Sequence, residues 1–67
     1  MTYDRFLQEV SEMKKGEIKS FFISKTSLGG RDAARISLDI AKKCKYPVNI
    51  HIYDFDHETI GVLVEIL

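Results

Sequence analysis

Cysteine, proline, glycine and net charge are all scarce in this 67-residue chain, which has one Cys, one Pro, four Gly and a formal charge of zero. The lone Cys44 excludes an intramolecular disulfide and any cysteine-based zinc site. It falls in a helical apolar pattern and reads as a reduced core thiol. No apolar run approaches the roughly 20 residues of a membrane span. The opening MTYDRF lacks the basic-then-apolar order of a signal peptide, so a cytoplasmic protein is the expectation. Internal repeats and low-complexity stretches are also missing. What is present, 45% hydrophobic and 30% charged residues, suits one small globular domain over 1–67, near the lower size limit for a self-supporting core.

The zero net charge conceals a segregation. Residues 1–13 carry net −2 from Asp4, Arg5, Glu9 and Glu12. Residues 14–45 carry net +6, with nine bases against Glu17, Asp32 and Asp39, and residues 46–67 carry net −4 from Asp54, Asp56, Glu58 and Glu65. A basic middle between acidic ends makes a dipolar surface suited to a partner.

Periodicity sets the fold. Tyr3, Phe6, Leu7, Val10 and Met13 recur at three and four, which predicts a helix capped by Thr2, with Lys14 and Lys15 in its last turn and Gly16 closing it. Glu17 to Lys25 reads as a strand with Phe21, Phe22 and Ile23 apolar on both faces. Ala33, Ile36, Ser37, Ile40 and Cys44 set a second helical stripe, ended by Pro47. Val48, Ile50 and Ile52 alternate with polar neighbours, and Ile60, Val62, Val64 and Ile66 repeat the pattern after the polar turn DFDHE. The order α-β-α-β-β predicts a two-layer α+β sandwich: a three-stranded mixed sheet, its first two strands parallel through a right-handed crossover, with both helices on one face. The other face must then expose apolar side chains from the Phe21–Ile23 strand, together with Leu63 and Tyr53.

Two stretches invite a chemical reading. FFISKTSLGGRDAAR, residues 21–35, has the strand, glycine loop and helix order that cradles phosphate. It lacks the GxxxxGK[ST] spacing and the GxGxxG fingerprint, and Asp32 would repel an anion at the helix start. The glycines therefore read as a corner. YDFDHETI gathers Asp54, Asp56, His57 and Glu58 near His51, yet it has neither the ligand number nor the glycine of a calcium loop. At a hairpin tip these read as hydrated turn residues, so no metal is expected. No Ser-His-Asp or Cys-His set has a distinctive spacing, so neither an enzyme nor a cofactor is expected.

GRDAARISLDIAKKC loosely resembles the loop and second helix of the Alba-like chromatin proteins. One strand added in front would complete their β-α-β-α-β-β order, which the C-terminal domain of bacterial initiation factor three shares. The resemblance is architectural and covers about two-thirds of the chain. The leading strand is missing, and the family's long basic hairpin is here the acidic DFDHE.

Two functions follow as expectations. The first is a non-enzymatic protein-binding module, of the accessory or inhibitor kind that phages and mobile elements encode. It would dock through the segregated charge and the open sheet face, with Lys25, Arg31, Arg35, Lys42, Lys43, Phe21 and Leu63 as the contact residues, and the same face could pair two copies. The second, implied by the Alba-like architecture, is a nucleic-acid binder using the basic 25–45 region. Neutral net charge disfavours it, because phosphate affinity grows with the number of ionic contacts.

Overall fold

The computed structural model describes residues 1–67. Helix α1 (Tyr3–Ser11) leads into β1 (Ile18–Ser24), a short 3-10 turn (Lys25–Leu28), α2 (Ala33–Lys43), β2 (Val48–Asp54) and β3 (Thr59–Ile66). The α+β order matches the sequence pattern.

Thr2 caps α1 by accepting the Arg5 N–H. The helix ends earlier than the lysine pair suggests, because Glu12 and Met13 make tight bonds back to Glu9 and Val10, three residues away. Lys14 and Lys15 therefore lie beyond the helix, in a turn closed by the Glu17 N–H on the Lys14 carbonyl. Gly16 holds φ 87° there, at the turn position that needs a left-handed residue.

The sheet order is β1-β3-β2, and both ladders are antiparallel. The expected mixed sheet is thus corrected. β1 and β2 do run in the same direction, but β3 lies between them, so no parallel pair forms. Physically, the central place with two hydrogen-bonded neighbours goes to the most apolar strand, TIGVLVEI. The four-residue turn 55–58 allows β3 to fold back on either side of β2. The inner side gives it two antiparallel ladders, the slightly stronger kind of pairing.

Register then fixes the faces. Phe21 opposes Val62 and Ile23 opposes Ile60, while Ile50 and Ile52 oppose Val64 and Val62 from the other side. These side chains meet Phe6 and Val10 of α1 and Ile36 and Ile40 of α2 in one cluster. α1 lies against β1 and α2 against β2, so both helices cover the same face. Val48, Ile50 and Ile52 are only half-buried, as suits an edge strand. Cys44 packs beside this core, and burial pushes its thiol pKa up, which lowers the share of thiolate.

Candidate docking face

The glycine loop turns a corner. Gly29 (φ 60°) and Gly30 (φ 77°) reverse the chain after the 3-10 turn, and Asp32 caps α2 by accepting the Arg35 N–H at 2.9 Å. The basic residues around it are already engaged. Arg31 Nε lies 3.6 Å and Arg35 Nε 3.2 Å from the Asp39 carboxylate. Arg31 also donates to the Leu28 carbonyl at 2.8 Å and lies 4.7 Å over the Tyr3 ring. The Tyr3 hydroxyl completes the network by donating to Asp39 Oδ2 at 2.7 Å. That hydrogen bond, helped by the two guanidiniums, holds the Asp39 carboxyl below its usual range. Burial, and then the same carboxylate, push the Tyr3 phenol well above its ordinary value.

The other expected contact residues scatter. Lys25 pairs with Asp54 at 3.2 Å. Lys42 is exposed on α2, and Lys43, in the last turn of α2, lines a hollow with Lys14, Lys15 and Lys45. Phe21 is 4% exposed and belongs to the core, which corrects its placement on a binding surface. Strand alternation turns its neighbour outward instead: Phe22 is 44% exposed. Leu63 does lie on the open face.

That face carries a feature that sequence reading missed. Phe22, Gly61 and Tyr53 form one row across the three strands. A Cβ on Gly61 would meet the Tyr53 ring at 2.3 Å, so the ring lies flat across the middle strand, where no side chain stands in its way. Phe55 packs on Phe22 with ring centroids 4.8 Å apart, and His51 stacks on Tyr53 at 5.7 Å. Leu63 and Ile18 extend the apolar surface. Among the outward residues of the three strands there is no lysine or arginine, and Glu65 is the one formal charge. Period-two alternation from the buried Phe21 could have identified Phe22. Nothing in the sequence could show Tyr53 lying over Gly61, because that pairing requires the register.

The acidic turn closes on itself. The Glu58 N–H donates to Asp56 Oδ1 at 2.9 Å, and the Phe55 and Asp56 N–H groups both donate to the Thr59 carbonyl. No three His, Cys, Asp or Glu side chains form a cluster suited to a metal ion. No helix is long and apolar enough to cross a membrane. No protein-family model, curated protein or solved structure matches the chain.

Proposed function

We propose that this chain is a small protein-binding module of the cytoplasm, of accessory or inhibitor type, that docks on a partner through its uncovered sheet face. The observation that carries this reading is the exposed aromatic surface on this face, with Tyr53 lying over Gly61 and stacked by His51, and Phe55 packed on Phe22 in the same row. Flat aromatic surface gives large contact area at low entropic cost, and such side chains are the usual anchors of protein interfaces.

Charge indicates the partner. With Glu65 on the face and Asp56 and Glu58 in the adjoining turn, the surface fits an apolar patch rimmed by bases. Stacked aromatics can also hold single-stranded nucleic acid, but such sites need a positive groove to follow the backbone. Here the surroundings are acidic. A second copy is a poor sole partner as well, because face-to-face pairing would bring Glu65, Asp56 and Glu58 of one copy against an equally acidic surface.

Tyr3 and Asp39 are driven away from neutrality in opposite directions, so this pair stays as phenol and carboxylate and serves the fold.

Placing a photo-crosslinking amino acid at position 53 in the source cells tests the reading, with position 8, on the exposed side of α1, as the control. A discrete protein adduct from position 53 alone is expected. Adducts to nucleic acid, or equal labelling from both positions, would overturn it.

A further inference from the structure

Away from the sheet face, the stretch that follows α1, the end of α2 and the end of β3 enclose a hollow of about 240 Å³. Its floor is apolar, with Val10, Met13, Cys44 and Ile66, and Tyr46 forms one wall. Four lysines, Lys14, Lys15, Lys43 and Lys45, line it, and no acidic residue does. None of the four joins an ion pair; the chain's salt bridges use Arg5, Lys19, Lys25, Arg31 and Arg35 instead. Lys15 alone is engaged, 5.7 Å from the Tyr46 ring centre.

Helix electrostatics accounts for part of this arrangement, since Lys43 in the last turn of α2 complements the negative end of that helix. It does not account for Lys14, Lys15 and Lys45, which lie outside the helices. Four like charges around one apolar hollow repel each other, and an anionic ligand would relieve that repulsion.

The geometry narrows the ligand. Compact phosphate is commonly held by helix N-termini, by the fork of arginine or by lysine acting with backbone N–H groups. Both helices present their C-terminal ends here, so no helix N-terminus is available to seat a phosphate, and four lysines around an apolar floor match carboxylates that flank an apolar side chain. The volume is below the roughly 300 Å³ at which small-molecule sites begin, and it matches a single bulky side chain. We propose that this hollow binds an acidic peptide segment that inserts one apolar side chain between flanking carboxylates. The proposal deepens the protein-binding reading and rests on it, but it uses none of the sheet-face residues.

The test is an amide-shift titration of the whole chain with a seven-residue peptide holding one Phe between pairs of Asp, with glycine at each end. Saturable shifts at residues 13–15 and 43–46 are expected. Affinity should fall about tenfold as salt rises from about 0.05 to 0.5 M and screening shortens. Replacing the peptide's Phe with Ala should weaken binding by on the order of tenfold, the worth of burying such a side chain. The exposed changes Lys43→Glu with Lys45→Glu should abolish the shifts while the rest of the spectrum persists, and Lys14→Glu with Lys15→Glu should do so independently. The proposal fails if the Ala peptide binds equally well, if a single-stranded oligonucleotide binds these residues more tightly than the peptide, or if no shifts occur. Slowed diffusion of the free protein at high concentration, with shifts at both 54–58 and the hollow, would reassign the site to a second copy's DFDHE turn and overturn it too. A crosslink from position 53 without peptide shifts would remove the hollow and leave the sheet-face reading standing.

Discussion

Tyr3 and Asp39, 36 positions apart, meet through a 2.7 Å hydrogen bond with two guanidiniums beside the carboxylate. The pKa shifts fix the sign of the pH dependence. Asp39 is lowered on folding, so its contribution is present above its unfolded pKa of about 4 and is lost as pH falls through the folded value. Tyr3 is raised, so its contribution is present below about 10 and is lost as pH climbs beyond that. Chemical denaturation across pH should therefore show a plateau between those limits. In Tyr3→Phe the Asp39 carboxyl should titrate closer to the ordinary carboxylate value, as followed by its side-chain NMR signal. The same network makes charge reversal costly at two exposed positions. Arg31 and Arg35 lie outside the apolar stripe of α2, where exchange for Glu looks harmless. In the fold such a double reversal surrounds Asp39 with carboxylates, and a lowered melting temperature is expected. Ile40 presents the simpler case: it is fully buried, and Ala in its place should cost about 2–5 kcal/mol in denaturant titrations.

At the scale of elements, period two and period three-and-a-half located both helices and all three strands, because each buries one face and the spacing of Ile, Val and Phe records it. Three things were not legible. The early end of α1 depends on the tight bonds at Glu12 and Met13, which lysines further on do not reveal. The 3-10 turn Lys25–Leu28 has no apolar period of its own and forms against the rest of the fold: its Ser27 hydroxyl accepts the Tyr3 N–H. The central place of β3 is a choice between two sides of a hairpin, decided by burial across the whole sheet. Two glycines make contrasting predictions. Gly30→Ala should destabilise the fold by on the order of 1 kcal/mol, because φ 77° is strained for any residue with a Cβ. Gly61→Ala should leave the strand in place, since its backbone is not left-handed and only the mobile far end of the Tyr53 ring is displaced. Its effect should appear as a changed Tyr53 ring environment in NMR spectra and as lost partner binding.

For the whole molecule, the charge segregation seen in the sequence survives folding, but its meaning changes. Three of the bases expected to form one surface, Lys25, Arg31 and Arg35, are paired with Asp54 and Asp39. Four of the five unpaired bases, Lys14, Lys15, Lys43 and Lys45, gather around the hollow near the helix C-termini, while Asp56 and Glu58 lie in the turn of the β2–β3 hairpin. Sequence counts charges but does not show which are neutralised inside the fold, so the 25–45 region seemed one basic patch. The uncovered aromatic face and the lysine-lined hollow remain as separate surfaces that share no residue. The central claim is that the sheet face docks a protein, and the most direct measurement compares capture from source lysate by the parent and by Phe22→Ser with Tyr53→Ser, each with and without nuclease. Both side chains are exposed, so the double variant should keep its fold, as its amide spectrum will show. The account predicts a discrete protein retained by the parent, unaffected by nuclease and lost from the variant. Capture that survives both substitutions, or that disappears on nuclease treatment, would contradict it.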